Sequence, residues 1–338
     1  MITEWLRKVD ARSDLSAQEA EQVMDELLEG RLSQEQIVGL LISLRDKGEA
    51  VEELVGFARA MRRRTNHQRA QAQIGPLVDT CGTGGDGGGT FNVSTAAALV
   101  VAGAGVRVAK HGNRSFSSRC GSADVLEALG VKIDIEPKRA LAAIEQVGIG
   151  FLFAPTMHTA MRHAAAARRE AGGRTVFNLL GPLTNPAGAT AQVIGVPASA
   201  LVEKLGHALA ELETQHAFVV HGVDGIDEIS LSDETQMAEV RPHSVQTYRV
   251  KPQDFGVARG RREDLVGGDA AANAKIIRSI LEGERGPQRD FVCINAAAAL
   301  VAAGRAANFR KGAQLAAKAI DSGLARTKLE ALIAFSRG

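Results

Sequence analysis

The sequence has few cysteines, and they are widely separated. Cys81, Cys120 and Cys293 are the only three among 338 residues, and no two of them form a C-x-x-C motif. An odd and scattered set argues against a disulfide framework and against a structural zinc site. It fits a protein kept in a reducing compartment, so we expect a cytoplasmic location.

The sequence also lacks an excess of charge of one sign and long apolar runs. The formal net charge is +1, so nothing draws the whole chain toward nucleic acid or an anionic membrane, although a local basic site is compatible with it. The longest apolar runs, 94–106 and 294–304, are shorter than the roughly 20 residues needed to cross a bilayer. The N-terminal stretch is charged throughout, unlike a signal peptide. We therefore expect neither a membrane nor a nucleic-acid partner.

The first 65 residues contain amphipathic helical patterns only. Ser16 and Glu19 have the spacing of a capping box, apolar residues follow at helical spacing, and Gly30 and Gly48 are suitable ends for two helices. The basic run 62–64 fits a solvated helix end better than a binding patch. These patterns predict a small helical domain at the N-terminus.

From residue 76 onward, short β-rich runs alternate with helical patterns. The sequence predicts buried parallel strands at 106–109, 148–154, 191–196 and 216–222, and polar antiparallel strands at 228–231, 237–242 and 244–250. The fold class is therefore α/β, with a small N-terminal helical domain and a larger α/β domain around a mostly parallel central sheet. We expect the first domain to span 1–66, joined by helices from about 158–185, and the second to span 74–338.

The glycine-rich stretch 79–95, DTCGTGGDGGGTFNVST, contains a literal G-x-G-x-x-G. A dinucleotide site needs an acidic residue about 20 residues further on. The first acid after Asp86 is Asp124, which is too far away. The sequence therefore does not meet the second requirement of a dinucleotide site. A glycine loop followed by a helix start is also a phosphate cradle, because its backbone N–H groups converge on an anion. We favour that interpretation over a simple surface turn, with Asn92, Ser94 and Thr95 as additional polar contacts.

The segment 110–124, KHGNRSFSSRCGSAD, combines cations with serine hydroxyls directly after a predicted strand. On its own it is typical of solvated surface. The carboxyl ends of parallel strands meet at one edge of a sheet, where open α/β folds bind ligands. Beside the glycine loop, Lys110, Arg114 and Arg119 therefore suggest the second wall of a phosphate-binding pocket.

Asp227 and Glu228 are adjacent acids in a turn after a predicted strand. A bound divalent cation relieves their mutual repulsion, and hard oxygen ligands favour Mg²⁺. Two solvated acids are an equally good interpretation of this segment alone.

A basic stretch at 151–187 could bind an organic carboxylate. His158, Arg162, His163, Arg168 and Arg169 recur on one predicted helical stretch, and arginine suits bidentate binding of a carboxylate. The alternative is a solvated basic helix. We interpret the following GPLTNP, 181–186, as a rigid structural turn.

Several of these motifs occur in the same order in one enzyme family. The sequence resembles the anthranilate phosphoribosyltransferases over nearly its whole length. The resemblance is carried by GTGGD (82–86), TFNVST (90–95), KHGNR (110–114), GSAD (121–124), RTVFNLLGPLTNP (174–186), DE (227–228) and GPQRDFVCINAAAAL (286–300).

The resemblance implies a fold, a reaction and partners. The fold would be like that of nucleoside phosphorylases and related phosphoribosyltransferases, dimeric through the helical domain. The substrates would be phosphoribosyl pyrophosphate (PRPP) and anthranilate, and the products N-(5-phosphoribosyl)anthranilate and pyrophosphate, in the second step of tryptophan biosynthesis. Two Mg²⁺ ions per subunit are implied, no protein nucleophile is needed, and an association with anthranilate synthase stays open.

The resemblance also assigns site residues. PRPP would be bound by Gly82, Gly85, Asp86, Thr90, Asn92, Val93, Ser94, Thr95, Lys110, His111, Gly112, Asn113, Arg114, Ser115, Phe116, Ser117, Ser118 and Ser122. Anthranilate would contact Gly82, Asn113, Arg168 and His158, and the metal would be held by Ser94, Asp227 and Glu228. Phe116 replaces an aliphatic residue of relatives, and the alanine-rich stretch before Arg168 leaves Arg169 as the alternative.

Two other functions compete with this one. A pyrimidine nucleoside phosphorylase would have a similar architecture and use inorganic phosphate, but GTGGD and the acidic pair argue against it. A nucleic-acid-binding relative without catalysis should have a broad basic groove, and the net charge of +1 argues against that.

Overall fold

The structure is a computed structural model that describes residues 2–65, 76–85, 89–115 and 119–338. Within these ranges, no helix combines the length and the apolar character needed to cross a membrane. Four of the residues assigned above, Asp86, Phe116, Ser117 and Ser118, lie outside the described residues, and their roles stay predictions.

The N-terminal part is helical, as the sequence predicts. Its helices are α1 (Ile2–Asp10), α2 (Ala17–Leu28), α3 (Gln34–Lys47) and α4 (Val51–Arg64). The capping box before α2 is confirmed, because Glu19 N donates to Ser16 Oγ at 3.3 Å and Ser16 N donates to Glu19 Oε2 at 2.8 Å. Gly30 and Gly48 adopt positive φ angles of 71° and 83° just beyond α2 and α3, which a residue with a side chain rarely does.

The α/β part contains a seven-stranded sheet in the order β3-β2-β1-β4-β5-β6-β7. Its strands are β1 (Leu77–Asp79), β2 (Arg107–Gly112), β3 (Ile149–Phe153), β4 (Ala191–Gly195), β5 (His216–Gly222), β6 (Thr235–Arg241) and β7 (Ser244–Val250). The first five are parallel, and β6 and β7 are antiparallel additions at one edge. The predicted fold class is therefore confirmed. Strand order reverses on either side of β1, so ligand-binding loops are expected at the carboxyl ends of β1 and β4.

Helices cover both faces of the sheet. They are α5 (Val93–Gly103), α6 (Ser122–Leu129), α7 (Pro137–Gln146), α8 (Ala154–Met157), α9 (Ala165–Ala171), α10 (Val176–Leu183), α11 (Ala200–Glu211), α12 (Ala270–Leu281), α13 (Pro287–Ala302), α14 (Phe309–Asp321) and α15 (Leu324–Arg337). Short 3₁₀ helices span Thr159–Ala164, Pro252–Phe255 and Arg262–Leu265.

Successive side chains of β5 pack alternately into two separate hydrophobic cores. Phe218 and Val220 pack into the core that contains α5 and α13. Ala217 and Val219 face the other way, into the core that contains the N-terminal helices, α10 and α11. This follows from the period of two along a strand. The packing of α9 on the N-terminal helices includes Arg45 Nη1, which donates to the carbonyl oxygen of Gly172 at 2.9 Å. The domain boundaries given above stay a prediction.

Three local predictions were wrong. The segment 228–231 is not a strand, because side chains take its backbone hydrogen bonds: Asn295 Oδ1 accepts from Ile229 N, and Thr235 Oγ1 accepts from Ser230 N. The basic stretch 158–169 is not one helix, because a 3₁₀ helix (Thr159–Ala164) precedes α9. The GPLTNP turn begins only at Thr184, because residues 181–183 form the last turn of α10.

Candidate functional site

The loops that follow β1, β4 and β5 touch one another through backbone atoms. In the glycine loop, Thr83 N donates to the carbonyl oxygen of Gly195, the last residue of β4, at 2.9 Å. A Cβ atom on Gly195 would lie only 1.6 Å from the carbonyl oxygen of Asp227. Only glycine permits this approach. The structure therefore brings the predicted phosphate loop and the predicted acidic turn to one place.

The helix that follows the glycine loop, α5, begins at this same place. Thr80 Oγ1 donates to the carbonyl oxygen of Ser94 at 2.9 Å, which fixes the first turn of α5 against the end of β1. Thr95 is 1% exposed, and its Oγ1 has no hydrogen-bond partner among the described residues. A buried hydroxyl of this kind at the N-terminus of a helix, where the helix dipole favours negative charge, suits an anionic ligand.

The side chain of Asn92 contacts two neighbouring segments of the protein. Its Nδ2 donates to the carbonyl oxygen of Cys120 at 3.0 Å, and its Oδ1 accepts from Asn273 Nδ2 at 2.9 Å. Both ends of the side chain are therefore engaged within the protein. Asn92 ties the glycine loop to the segment before α6 and to α12.

Lys110 lies buried beneath the glycine loop, next to the buried carboxylate of Asp79. Lys110 is 2% exposed, and its Nζ donates to the carbonyl oxygen and the hydroxyl of Thr80 at 3.1 and 3.3 Å. Burial raises the pKa of Asp79 to about 6, although Lys110 and a hydrogen bond from Asn185 oppose this. Lys110 thus supplies positive charge from below the loop.

His111 follows Lys110 and is held as a neutral imidazole. Its Nδ1 lies 3.1 Å from the carbonyl oxygen of Gly181, so Nδ1 carries the proton and Nε2 the lone pair. Burial lowers the pKa of His111 to about 4. Its ring lies 5.1 Å from the ring of His158, so the structure brings these two predicted site residues together.

Asp79, Cys81 and His111 place one potential ligand atom each within 4.8 Å of one another. Both oxygens of Asp79 already accept hydrogen bonds, from the His111 backbone and from Asn185 Nδ2. Burial raises the pKa of the Cys81 thiol and keeps it protonated. The occupied carboxylate oxygens and the protonated thiol do not suit Mg²⁺, so we interpret this cluster as buried polar structure rather than as a magnesium site.

Ser115 and Gly121, which follow β2, contact the start of α6. Asp124 Oδ2 accepts from the backbone N–H groups of Ser115 and Gly121 at 3.0 and 2.9 Å. The guanidinium of Arg114 pairs with Asp124 and Glu127 at 2.9 Å each. Of the three cations expected to line a pocket, Lys110 is buried, Arg114 is ion-paired and Arg119 is exposed. Ser122 Oγ donates to the carbonyl oxygen of Asn113 at 3.3 Å. Asn113 itself is exposed.

The turn that contains Asp227 and Glu228 is hydrogen-bonded to α13. Asp227 and Glu228 are half-buried after the end of β5. Asn295 of α13 accepts from Ile229 N at 3.0 Å and donates to the carbonyl oxygen of Ile229 at 3.1 Å. The pair offers only oxygen donors, as does Ser94, and such a donor set fits Mg²⁺.

The two adjacent arginines on α9 differ in environment. Arg168 is half-buried, with its Cζ 5.1 Å from the ring centroid of Phe177, and burial lowers its pKa. Arg169 is exposed. A cation stacked on an aromatic face is oriented for a further contact, so the geometry favours Arg168 over its neighbour.

Comparison with known proteins identifies the family. A model of the glycosyl transferase family helical bundle domain matches residues 3–65, and a model of the a/b domain of that family matches 74–326. The chain is 51% identical to the anthranilate phosphoribosyltransferase of Geotalea daltonii and 54% identical to that of Solibacter usitatus, over 97% or more of each chain. It belongs to the anthranilate phosphoribosyltransferase family.

Solved structures of family members agree. The enzyme of Thermus thermophilus is 45% identical and superposes with a TM-score of 0.92, covering 98% of this chain and 99% of its own. The enzyme of Saccharomyces cerevisiae, solved in complex with PRPP and Mg, is 25% identical with a TM-score of 0.88, covering 99% and 98%. The family and the fold class expected from the resemblance are confirmed.

Sequence reasoning missed two residues that the anthranilate phosphoribosyltransferase fold brings to the site. Asn295 is a buried amide in an alanine-rich helix, and that isolated polar residue was the only signal available. Arg174 has its guanidinium against Gly85 of the glycine loop. It was quoted within a motif but could not be distinguished from the other arginines of that region.

Proposed function

We propose that this protein transfers the phosphoribosyl group of PRPP to the amine of anthranilate, which gives N-(5-phosphoribosyl)anthranilate and pyrophosphate. The observation that carries the proposal is the backbone contact that brings the glycine loop, Gly195 and the acidic turn together in a member of this family. A phosphate cradle and a pair of metal-binding carboxylates at one point suit a pyrophosphate leaving group. The reaction is the second step of tryptophan biosynthesis.

PRPP would lie along the glycine loop and the start of α5. The backbone N–H groups there, with Ser94 and Thr95, would hold its phosphates, and the buried ammonium of Lys110 would add positive charge from below. Groups already aligned before the reaction stabilise developing negative charge with little reorganisation. This arrangement supports the departure of pyrophosphate from C1 of the ribose.

Ser94, Asp227 and Glu228 would hold magnesium, with two ions per subunit. The oxygen-only donor set supports this assignment, as does the S. cerevisiae relative solved with PRPP and Mg. Bound Mg²⁺ would neutralise charge on the leaving pyrophosphate. Asn295 keeps the acidic pair in place through the backbone of Ile229.

Arg168 would bind the carboxylate of anthranilate, with Gly82, Asn113 and His158 along the same side of the site. Arginine binds a carboxylate through two parallel hydrogen bonds, which fixes the orientation of the aromatic ring. The amine would then be held in line with C1. A protein nucleophile is not required, because the amine itself attacks.

The proposal extends to assembly and location. We propose a homodimer formed through the helical bundle and a cytoplasmic location, the latter supported by the odd and scattered set of cysteines, Cys81, Cys120 and Cys293. An association with anthranilate synthase is compatible with this function. Sedimentation of the purified protein, alone and with anthranilate synthase, tests the dimer and the association.

The decisive experiment follows the fluorescence of anthranilate after purified protein is mixed with PRPP and Mg²⁺. Loss of fluorescence that requires protein, PRPP and Mg²⁺ together is the expected result. A folded protein that leaves the signal unchanged would contradict the proposal. Phosphorolysis of thymidine or uridine, and salt-dependent DNA binding in a gel shift, would then identify the two competing functions.

A further inference from the structure

Arg174 lies against the backbone of the glycine loop. It follows the Gly172–Gly173 turn after α9, just before α10. A Cβ atom on Gly85 would lie 2.5 Å from Arg174 Nη1 and 3.1 Å from its Cζ. The guanidinium therefore occupies the space that a side chain at position 85 would need, directly on the loop that the proposed function assigns to PRPP.

The charges around Arg174 come from two other parts of the molecule. Burial lowers the pKa of Arg174, and the carboxylates of Asp227 and Glu49 act in the opposite direction. Asp227 belongs to the acidic turn, and Glu49 lies between α3 and α4. Arg174 thus carries a positive charge beside the glycine loop, and the charges of Asp227 and Glu49 favour it.

One nitrogen of this guanidinium has no hydrogen-bond partner among the described residues. Arg174 Nη2 is buried, and no atom of the described residues accepts its hydrogen bond. A charged donor left unsatisfied in a buried position costs free energy that a bound acceptor restores. The fork of an arginine matches a phosphate group, which can accept from two nitrogens at once.

We propose that Arg174 is a further PRPP-binding residue, which donates from Nη2 to the pyrophosphate group that the glycine loop holds. The inference rests on the proposed function and adds a residue to its site. The pyrophosphate is a better acceptor for Arg174 than the anthranilate carboxylate, because the guanidinium of Arg174 packs against Gly85 of the glycine loop. Arg168, the residue proposed for the carboxylate, packs on Phe177 instead.

Three variants test the proposal. Arg174→Gln removes the charge but keeps a polar side chain, Arg174→Lys keeps the charge without the fork, and Arg169→Gln is the matched control at an exposed arginine of the same region. For each, calorimetry with PRPP and Mg²⁺ in the absence of anthranilate gives the Kd for PRPP, and steady-state kinetics gives both KM values. Thermal melting reports folding.

For Arg174→Gln we expect the Kd and KM for PRPP to rise at least about tenfold, a factor that corresponds to about 1.4 kcal/mol, while the KM for anthranilate changes less than about twofold. Arg174→Lys should give an intermediate Kd, and Arg169→Gln should match the wild type. If Arg174→Gln does not fold, the Kd of Arg174→Lys decides, and an unchanged value overturns the proposal.

An unchanged PRPP Kd in Arg174→Gln would also overturn it. Equal rises in both KM values together with a lower melting temperature would assign Arg174 a structural role only, and the proposal would again fail. A wild-type protein that binds PRPP but does not consume anthranilate would contradict the proposed function instead. The calorimetric comparison would still answer whether Arg174 binds PRPP.

Discussion

The side-chain amide of Asn295 forms two hydrogen bonds with the backbone of Ile229, one to its N–H group and one to its carbonyl oxygen. Its Oδ1 accepts from Ile229 N at 3.0 Å, and its Nδ2 donates to the carbonyl oxygen of Ile229 at 3.1 Å. Ile229 directly follows Glu228, so this pair of hydrogen bonds fixes the acidic turn to α13. A strand would have used the same backbone groups for a neighbouring strand, and their capture by an amide explains why 228–231 forms none.

Replacing Asn295 with alanine should loosen the acidic turn. Two backbone groups of Ile229 would lose their partners in a buried position, which we expect to lower the free energy of unfolding by about 1–3 kcal/mol. The Mg²⁺ concentration needed for half-maximal activity should rise. Denaturant unfolding and a Mg²⁺ titration measure both effects, and Gln314→Ala on the exposed side of α14 serves as the control. An unchanged Mg²⁺ requirement would show that Asn295 does not influence metal binding by the acidic pair.

Glu228→Ala should change the metal requirement directly. Loss of this carboxylate should raise the Mg²⁺ concentration needed for activity and lower kcat, because charge on the leaving pyrophosphate would be less well neutralised. Glu234→Ala, at an exposed acid further along the same segment, should titrate like the wild type. A normal titration for Glu228→Ala would remove this residue from the metal site.

Arg168→Ala should affect one substrate more than the other. Hydrogen bonds between an arginine and a carboxylate contribute about 1.5–3 kcal/mol, so the KM for anthranilate should rise at least about tenfold with little change in the KM for PRPP. Arg169→Ala is the matched control, since Arg169 is exposed. Equal effects on the two KM values would contradict the assignment of Arg168 to the anthranilate carboxylate.

Gly195→Ala should abolish activity, because its Cβ would lie 1.6 Å from the carbonyl oxygen of Asp227 and the acidic turn would have to move. The control is Gly39→Ala in α3, where nothing lies within 4 Å of the added atom. That change should stabilise the protein by about 0.5–1 kcal/mol, because alanine favours a helix interior. Activity and thermal melting of both variants test the contrast, and an active Gly195→Ala would refute the close contact.

The buried Asp79 should make stability depend on pH. Its pKa is raised from 3.8 to about 6, so between these pH values the folded state binds a proton that the unfolded state does not. The Asp79 contribution to the free energy of unfolding therefore falls as the pH rises from about 4 to about 6, by up to about 3 kcal/mol. His111, with its pKa lowered from 6.5 to about 4 by burial, contributes in the opposite direction over much of this range.

Comparison with Asp79→Asn isolates the Asp79 contribution, because His111 is present in both proteins. Denaturant unfolding at pH 4 and pH 7 should show that the stability of the wild type, relative to the variant, is lower at pH 7. The absolute stability of the variant is affected by its lost hydrogen bonds, so only the pH-dependent difference counts. A difference that does not change with pH would contradict the raised pKa of Asp79.

The sequence predicted the features that depend on local chemistry. Ser16 and Glu19 form the capping box that their spacing indicates, and the β-rich runs at 191–196 and 216–222 contain β4 and β5. Alternation and capping are properties of neighbouring residues, so they are visible in a single chain. The position of the acidic pair after a strand was predictable for the same reason.

Features that depend on distant partners were not predictable. Arg114 was expected to face a phosphate, but in the structure it forms ion pairs with Asp124 and Glu127 on α6. Lys110 has its ammonium beneath the loop because the hydroxyl and the carbonyl oxygen of Thr80 lie there. Nothing in the run of arginines between 162 and 174 marked Arg174 as the one that contacts Gly85. Direction and pairing of long side chains follow from the tertiary fold, not from spacing.

The contact between Gly195 and Asp227 has a consequence for changing this enzyme. The proposed phosphate end of the site is positioned largely by backbone atoms of loops after β1, β4 and β5, whereas the proposed aromatic end includes side chains of the short helices between 154 and 183. If Arg168 binds anthranilate as proposed, substitutions around Arg168 and Phe177 should alter which aromatic amine is accepted while the phosphoribosyl donor stays the same. A library confined to those helices is the natural starting point for an enzyme that attaches phosphoribose to other arylamines.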